Sequence, residues 1–335
     1  IIIVLAAAAA VTSFFSIFVT QMESITFGDV WNVLAAHLTG GTYGNEIFDM
    51  VVWQINVPRA LLGIVVGVAL AIGGAIMQVL MRNPLATPYT TGVTAGASMG
   101  AALYIYLGIA VVEINSYLGD IAINAILFAM VPTAAILLVS MQKHITPTSM
   151  ILAGIAMMYV FSALTSLLML LADPDNVDQA YHWGIGTLGR GSWDNIPFVF
   201  AVVVPCGLIL AYLSRYVHLL NAGNRNAQTM GMDVKKVRAI ALLVIAVMVA
   251  VTVGVTGSIG FLGLIAPHIS RVLVGSNMKY LLPCSAALGV LILMLADTAS
   301  RVIVFGGMPV GVVLSVIGGP LFIFILAKNA KKVWF

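Results

Sequence analysis

Few residues of this sequence could perform chemistry, and those few lie in apolar surroundings. Asp297 and Arg301 stand four positions apart, and His268 and Arg271 three apart, so each pair shares one face of a helix. Charge inside a membrane is costly and usually functional. The Asp297–Arg301 pair suits either a structural ion pair or the presentation of Arg301 to an outside partner. For His268 and Arg271, with no carboxylate nearby in sequence, structural hydrogen bonding is favoured over proton transfer.

The sequence lacks the common signatures of nucleotide binding and metal-dependent hydrolysis. It has no GxxxxGK[ST] loop for phosphates and no HExxH zinc motif. Residues 96–100, GASMG, match the GxSxG nucleophile pattern, which needs a preceding strand. Here the motif opens an apolar run, so we interpret its glycines as helix contacts and Ser98 as non-catalytic. We expect no enzymatic activity and no cofactor.

The two cysteines, Cys206 and Cys284, lie singly in apolar runs. Without a cluster or a CxxC spacing, they indicate neither a disulfide framework nor a metal site. We expect both to be small buried hydrophobic residues.

Composition places the chain in a membrane. Of its 335 residues, 61% are hydrophobic and only 8% are charged, and the mean hydropathy is +1.09. A soluble domain carries about 25% charged residues, so this chain must present apolar surface to lipid. The net charge of +3 is too small to indicate nucleic acid as a partner.

Apolar runs predict an all-α protein with a single domain over residues 1–335 and about ten transmembrane helices. The expected spans are 2–20, 60–81, 93–112, 119–140, 148–171, 196–214, 238–256, 259–274, 281–300 and 309–327. The first run begins at Ile1 without an initiator Met and has no basic region before it. We therefore expect a first span whose start is missing, rather than a signal peptide.

The distribution of basic residues predicts the orientation. With both termini in the cytoplasm, every Lys and Arg falls on the inner side except Arg59, Arg190 and Arg301, and most acidic residues fall outside. The long inner segment 215–238 predicts two short helices outside the bilayer, broken at Gly223 and Gly231. A loop of this length in a compact protein is usually functional.

Glycine patterns predict close packing and a break in the helical backbone. The pairs Gly63/Gly67, Gly96/Gly100 and Gly307/Gly311 have the small-xxx-small spacing that favours tight helix crossing. Residues 254–267, GVTGSIGFLGLIAP, predict non-helical backbone at membrane depth, which is tolerated only where it is buried in protein or lines a water-filled cavity. This segment is the first indication of a transport pathway.

Four longer stretches resemble one known family. They are WQINVPRALLGIVVGVALAIGGAIMQVLMRNPLATP (53–88), ILAGIA (151–156), GSIGFLGLIAPHISRVLVG (257–275) and ADTASRVIVFGGMPVGVVLSVIGGPLFIFIL (296–326). In order and spacing they are similar to the FecCD family of ABC-transporter permeases, which import iron–siderophore complexes, haem or cobalamin. The resemblance implies the type II importer permease fold and a dimer of two permease subunits. It also implies two cytoplasmic ATPases and an extracytoplasmic binding protein.

The resemblance also implies roles for particular positions. Arg59 and Arg301 are similar to outer arginines that receive glutamates of the binding protein, although Asn56 stands where many relatives carry a further arginine. Asn83, Leu85, Thr148 and Ser149 match positions that close the inner end of the pathway. The implied ATPase contacts are Asn221, Ala222, Gly223, Asn224, Arg225, Asn226, Ala227, Gln228, Thr229, Met230, Gly231, Met232, Asp233 and Val234.

The resemblance thus implies a permease of the bacterial cell (inner) membrane, as a homodimer, moving a ferric siderophore by alternating access. A permease for haem, cobalamin or an oxyanion such as molybdate is the alternative within the family. An ion-coupled secondary transporter would need ionisable residues at mid-membrane, where only Asp297 and His268 are candidates. An intramembrane hydrolase would depend on Ser98.

Overall fold

The computed structural model describes residues 1–20, 22, 24–114, 116–142, 146–303 and 307–329. In the first half these residues form the helices α1 (Ile2–Ser16), α2 (Phe27–Leu38), α3 (Glu46–Asp49), α4 (Val57–Leu80), α5 (Val93–Leu107), α6 (Tyr117–Ser140) and α7 (Pro147–Met169). The second half contains α8 (Pro174–Gly184), α9 (Ile196–Leu219), α10 (Asn224–Thr229), α11 (Val234–Thr256), α12 (Leu262–Val274), α13 (Met278–Ile303) and α14 (Val310–Asn329). Within those ranges the β-structure is limited to an isolated parallel bridge between Ile185 and Ser258.

The all-α fold expected from the sequence is confirmed. Among the described residues, six helices are long and apolar enough to cross a membrane: those that contain α4, α6, α7, α9, α11 and α13. The shorter apolar helices are α1, α5, α12 and α14. Each predicted span overlaps one of these apolar helices.

Helices α2, α3 and α8 were not among the predicted elements. Helix α2 begins with a capping box in which Thr26 and Asp29 exchange side-chain and backbone hydrogen bonds. A π-helical segment, Met50–Asn56, joins α3 to α4, so that Glu46–Leu80 is one continuous helical rod of 35 residues. A search for long apolar runs misses short amphipathic helices such as α2 and α8, because their polar faces interrupt the run.

Helix α4 lies at the centre of the bundle and packs against α9, α11, α12 and α13. Its apolar stretch is 78% buried, whereas that of α7 is only 11% buried. One face of α7 is therefore open, with Leu152, Tyr159 and Val160 each at least half exposed.

Two of the three small-residue pairs make the close helix crossings that the sequence predicts. A Cβ on Gly67 would lie 2.7 Å from the Val290 Cα in α13. Gly96 and Gly100 lie in the same way against backbone of α6. The third prediction was wrong: Gly307 precedes α14 and has a positive φ of 77°, so it does not form a helix crossing with Gly311.

The closest approach at the centre of the bundle joins Gly74 of α4 to Gly263 of α12. A Cβ added to Gly74 would overlap the Gly263 carbonyl, and both glycines belong to helix backbone that cannot move alone. On the neighbouring Gly73, a Cβ would meet side-chain atoms of Ile245 and Pro88 at 3.5 Å, an ordinary contact.

We predict that Gly74→Ala destabilises the protein and Gly73→Ala does not. Overpacking of this kind costs roughly 1–3 kcal/mol, because α4 and α12 must separate to admit the methyl group. Thermal unfolding in detergent measures the effect, with Gly73→Ala as the matched control in the same helix. Equal melting temperatures for the two variants would contradict the assigned contact.

Candidate functional site

A buried carboxylate joins two helices at the predicted outer end of the bundle. Asp297 in α13 is fully buried, and Arg59 in α4 donates to its Oδ1 from Nη2 at 2.7 Å and from Nε at 3.0 Å. Arg301, one turn further along α13, places its Nε 3.3 Å from Oδ2 of the same carboxylate. One negative charge is thus shared by two positive charges, and the group keeps a net positive charge.

Arg301 also ties the end of α1 into this group, which we call the outer clamp (Arg59, Asp297 and Arg301). Its Nη1 donates to the Val19 carbonyl and its Nη2 to the Ser16 carbonyl, both at 2.8 Å. Carbonyls at a helix C-terminus lack intrahelical partners, so a cation there satisfies them. Asn56 acts likewise, donating to the Ile17 carbonyl at 3.0 Å. Of the two roles open for the Asp297–Arg301 pair, the structure shows the ion pair.

Within the outer clamp, little of the surface of either arginine is exposed. The side chains of Arg59 and Arg301 are 15% and 6% exposed, and each is paired with Asp297. Their docking role stays a prediction, but docking through them would require carboxylates that replace or add to Asp297.

The glycine-rich segment predicted to interrupt the helices does so. Helix α11 ends at Thr256, Gly257 has a positive φ of 74°, and α12 begins after Phe261, which has a left-handed φ of 62°. The connection between α8 and α9 runs beside this break, where the Thr187 amide donates to the Thr256 carbonyl and the Ser258 amide to the Gly184 carbonyl. Partners outside the helix thus satisfy backbone groups that the break exposes.

Arg190 holds this crossing together. Its Nη1 donates to the Thr256 carbonyl at 3.0 Å and its Nη2 to the His182 carbonyl at 2.9 Å, so one guanidinium binds near the ends of α11 and α8. Burial lowers the pKa of Arg190 to about 10, and the group therefore remains protonated at neutral pH. Its positive charge lies close behind the broken segment.

A cavity of about 580 Å³ lies in front of the break, between α5 and α7. The inner wall carries Thr87 and Thr90, and one side follows α5 along Thr94 and Ser98. Cavities of roughly 300–1,000 Å³ accommodate drug-sized ligands. Two other cavities among the described residues are much smaller, at about 100 and 10 Å³.

The opposite side of the cavity follows one face of α7, from Met158 to Ser162 and Thr165. The floor is the broken segment, where Ser258, Phe261 and Leu264 line the space. None of the described residues that line the cavity is charged. The walls present hydroxyl groups, aliphatic carbon and backbone.

Two helices begin at this cavity without a side-chain cap. The N-cap of α5 is Gly92 and that of α12 is Phe261, and neither residue has a side chain that accepts a hydrogen bond from the helix amides. Thr94 and Ala95 in the first turn of α5 line the cavity. In α12 the first-turn amides are largely satisfied by backbone, since the Leu262 amide donates to the Gly260 carbonyl at 2.8 Å and the Leu264 amide to the Phe261 carbonyl at 2.9 Å.

The GxSxG match has no catalytic surroundings. Residues 96–100 lie within α5 and follow a 3-10 turn, Tyr89–Thr91, not a strand. Ser98 lines the cavity wall, and neither histidine nor carboxylate lines the cavity among the described residues. The interpretation of Ser98 as non-catalytic agrees with this geometry.

The histidine and arginine of α12 have different environments. Arg271 donates to Gln78 Oε1 at 2.9 Å, as the predicted structural role requires. The prediction for His268 was wrong, because both of its ring nitrogens are buried without a hydrogen-bond partner among the described residues. Its ring lies edge-on to Phe322, with the centroids 6.1 Å apart.

The prediction of two short helices in the inner segment 215–238 was wrong. The structure has one short helix there, α10, between Gly223 and Gly231. Helix α9 continues to Leu219, a 3-10 turn follows, Gly223 has a positive φ of 105°, and α10 then ends before Gly231, whose φ is 84°. The remaining residues extend α9 and α11, which are longer than their predicted spans.

The predicted ATPase-contact segment, 221–234, is amphipathic. Three side chains, Ala227, Met232 and Val234, are buried against the bundle. The exposed side chains are those of Asn221, Arg225, Asn226, Gln228, Thr229, Met230 and Asp233. An exposed methionine on a short surface helix is suited to an apolar partner pocket.

Asn224, the first residue of α10, connects this segment to the helices on either side. Its Oδ1 accepts from Arg82 at the end of α4, at 3.5 Å, and from Arg238 in α11, at 3.3 Å. Arg82 also donates to the Leu220 carbonyl at 3.4 Å. The segment is therefore bonded to the inner end of the central helix.

The four residues predicted to close the inner end lie on two elements. In the turn after α4, the Asn83 Oδ1 accepts from the Leu85 amide at 2.9 Å, and the Leu85 side chain is 40% exposed. In the first turn of α7, Thr148 is exposed and the Ser149 amide donates to the Thr146 Oγ1 at 3.2 Å. The two groups belong to separate elements, and their gating role stays a prediction.

Comparisons with known proteins agree with this geometry. Residues 8–328 match the model of the FecCD transport family. The chain is 34% identical to the iron(3+)-hydroxamate import permease FhuG of Bacillus subtilis, over 84% of each chain. It is 30% identical to the hemin transport permease HmuU of Yersinia pestis, over 92% of this chain and 90% of the relative. A solved structure of a candidate metal-chelate type ABC transporter, facing inward, matches with a TM-score of 0.84 and 28% identity over 98% of both chains.

We predict that Asp297→Asn strongly destabilises the protein, because Arg59 and Arg301 would face each other without a counter-charge. Removing one partner of a buried pair costs roughly 3–5 kcal/mol. Asp178→Asn is the control, since Asp178 pairs with His182 while 72% exposed, and such surface pairs contribute little. Thermal unfolding of both variants measures the difference. Equal melting temperatures would mean that the outer clamp does not stabilise the fold.

Proposed function

The chain belongs to the FecCD transport family, and from this premise we propose that it translocates a ferric siderophore as one membrane subunit of an ABC importer. Members of the family found by comparison are permeases, so ATP hydrolysis belongs to a partner protein. The observation that carries the proposal is the cavity between α5 and α7. It contains no charged group that would hold a solute tightly, and it lies in front of a broken helix.

We propose that ten helices cross the bilayer, with both termini in the cytoplasm. The shorter helices α1, α5, α12 and α14 add to the six long ones. Gly92 at the start of α5 packs near Pro132, in the middle of α6. Helix α5 thus begins at membrane depth, as broken helices do where they line a pathway.

A second, identical permease subunit would complete the pathway. The face of α7 that includes Ser162 is exposed and adjoins the cavity. Apolar side chains on this helix, such as Tyr159 at 69% exposure, require lipid or a partner as cover. A homodimer that brings two such faces together would enclose two half-cavities about one axis.

Alternating access in this proposal depends on the segment 221–234. ATP binding would move the ATPases, and the exposed residues from Asn221 to Asp233 would transmit that movement. Asn224 would transmit the movement to α4 and α11, because it is hydrogen-bonded to Arg82 beside α4 and to Arg238 in α11. Asn83, Leu85, Thr148 and Ser149 would then open or close the inner end.

The observations favour a siderophore within a family of several substrates. Relatives include permeases named for iron(3+)-hydroxamate, hemin, Fe(3+)-citrate, cobalamin and molybdate. The cavity wall is mostly apolar with a few hydroxyl groups, which suits a large solute that must pass without being held, and it lacks the full positive charge that would retain a small oxyanion.

ATP-dependent uptake tests the proposed function. Right-side-out vesicles that contain the chain and its ATPase, enclose ATP and are supplied with the binding protein outside should accumulate ⁵⁵Fe-siderophore only when ATP is hydrolysed. The ATPase should also co-purify with the chain in mild detergent. Uptake driven by a proton or sodium gradient, without ATP, would reject the importer assignment.

We predict that Gly231→Glu lowers ATPase association. Gly231 has a positive φ of 84°, and a Cβ added there would have nothing within 4 Å, so glutamate would add strain and a charge on the contact surface without a clash. Gly231→Asn is the matched control, because asparagine tolerates left-handed backbone and adds no charge. Co-purification of the ATPase is the measurement. Equal recovery with both variants would mean that Gly231 does not lie in the ATPase contact.

We predict that Arg59→Gln weakens docking of the binding protein while the ATPase remains attached. Asp297 keeps Arg301 as a counter-charge in this variant, so the fold should survive, whereas reversing both arginines would crowd three carboxylates. Loss of one charge-complementary contact should lower affinity about tenfold. Surface plasmon resonance with the binding protein measures it, and unchanged affinity would leave Arg59 with a structural role alone.

A further inference from the structure

Two arginines meet at the inner end of the bundle with an amide oxygen between them. The Asn224 Oδ1 accepts from the Arg238 Nη2 at 3.3 Å and from the Arg82 Nη2 at 3.5 Å. The two nitrogens are therefore no more than about 7 Å apart, the sum of those distances. We call Arg82 and Arg238 the inner arginine pair. An amide oxygen carries no full charge, so it does not compensate the repulsion between two guanidinium groups.

The outer clamp shows how the same molecule holds two arginines that are compensated. There the carboxylate of Asp297 lies between them, and Arg59 donates to it at 2.7 Å. Both hydrogen bonds to Asn224 are longer than the roughly 2.7–3.2 Å that is usual for N–H···O contacts. Helix α4 thus has an arginine paired with a carboxylate near its outer end, and an arginine without one, Arg82, just beyond its inner end.

The described residues supply no carboxylate to the inner arginine pair, since neither arginine takes part in an ion pair there. The acidic residue nearest to Arg238 in sequence is Asp233, which accepts from the Lys236 amide at 3.1 Å and lies 3.6 Å from the Lys236 Nζ. Arg225 and Lys235 add positive charge to the same part of the chain. Such a concentration of one sign of charge attracts anions.

Arg238 has the greater need of a counter-charge. It is only 6% exposed, and its Nε is buried without a hydrogen-bond partner among the described residues. A buried charge is normally paired, because water no longer stabilises it. Since protein encloses the Nε, an anion would compensate this guanidinium from its other end, beside Asn224 and Arg82.

The approach to the pair is open on the side of Arg82. The Arg82 side chain is exposed. A Cβ added to Gly223 would have just one atom outside its chain neighbours within 4 Å, the Arg82 Nη2 at 3.5 Å, so the glycine leaves space next to this guanidinium. Arg82 also has a left-handed φ of 47°, which is uncommon for a residue other than glycine. Backbone strain of this kind is concentrated at functional sites.

We propose that the inner arginine pair binds a phosphate group, which supplies the missing counter-charge between α4, α10 and α11. Two charge-assisted hydrogen bonds of about 2.8 Å, to different oxygens of one phosphate, bridge a separation of this size. The planar fork of arginine also matches phosphate geometry. The source is free phosphate or the headgroup of an anionic lipid, because the pair lies on the side that the basic residues mark as cytoplasmic.

The proposed site goes beyond the proposed function, since it holds whatever solute is transported. A bound phosphate would fix α10, in the middle of the proposed ATPase contact, against the end of the central helix α4. The site would therefore tie the firmness of this contact to the anions at the inner membrane surface.

Asn224→Asp tests the site by placing the carboxylate within the protein. In detergent, freed of lipid and phosphate, this variant should melt at a higher temperature than the wild type, because aspartate compensates both arginines. Inorganic phosphate should raise the melting temperature of the wild type relative to sodium chloride of equal ionic strength. It should not do so for Asn224→Asp, whose binding of ³²P-phosphate should be weaker at least about tenfold. Asn226→Asp, exposed on the same helix, is the matched control and should respond to phosphate as the wild type does.

A lipid comparison separates the two sources of phosphate. Short-chain phosphatidylglycerol, which is anionic, and phosphatidylcholine of the same chain length, which is zwitterionic, are added to the delipidated protein. Stabilisation by phosphatidylglycerol alone, absent in Asn224→Asp, supports the site and assigns a lipid headgroup to it. Stabilisation by inorganic phosphate supports the site and assigns the free ion.

A second variant covers the case in which Asn224→Asp does not fold. Arg82 is exposed, so Arg82→Gln should fold and lose the phosphate response, whereas Arg225→Gln, exposed nearby, should keep it. The site is overturned if the wild type responds to neither phosphate nor phosphatidylglycerol, if Asn224→Asp responds equally, or if Asn224→Asp is no more stable than the wild type. Stabilisation by the ATPase alone also overturns it, since a protein carboxylate would then be the partner. ATP-dependent uptake is a separate measurement, so the proposed function is judged independently.

Discussion

The rest of this structure depends on the burial of one carboxylate between two arginines. Asp297 is fully buried, and an isolated charge there would be prohibitively costly. Arg59 compensates it from α4 and Arg301 from its own helix, while Arg301 also binds carbonyls at the end of α1. Hydrogen bonds and ion pairs therefore align α1, α4 and α13 at one end. Such directional contacts fix the positions of helices more closely than apolar packing alone.

Further along α4, towards its inner end, the helices touch through their backbones rather than through side chains. Gly67 and Gly289 lie against each other where α4 crosses α13, and Gly74 lies against Gly263 where α4 crosses α12. In lipid there is little hydrophobic drive to bring helices together, so close van der Waals packing of small residues carries the association. A bundle assembled in this way can leave one face unpacked, and α7 bounds the cavity with that face.

Much of the fold was predictable, because apolar runs and glycine spacing are local properties of a sequence. The break at 257–261 and the glycines that bound α10 followed from residue type alone. The pairing of Arg59 with Asp297 was not predictable, since the two are separated by 238 positions and only the crossing of α4 with α13 brings them together. The cavity was missed although Thr87, Thr90, Thr94 and Ser98 recur at intervals of three and four residues. Hydroxyl side chains are common in membrane helices, so their spacing gains meaning only when an opposing helix is known.

The unbroken helical rod from Glu46 to Leu80 has a mechanical consequence. At about 1.5 Å per residue it is ~50 Å long, with Arg59 bonded to Asp297 ~20 Å from its first residue and Arg82 adjoining Asn224 just beyond its last. A rigid rod of that length acts as a lever: a tilt of about 5° displaces its far end by ~4 Å. The π-helical turn at Met50–Asn56 is the natural pivot, since its hydrogen bonding departs from that of the rest of the shaft. A movement of ~4 Å at the inner end would thus need only a small tilt about this turn, and the outer residues close to the turn would move much less.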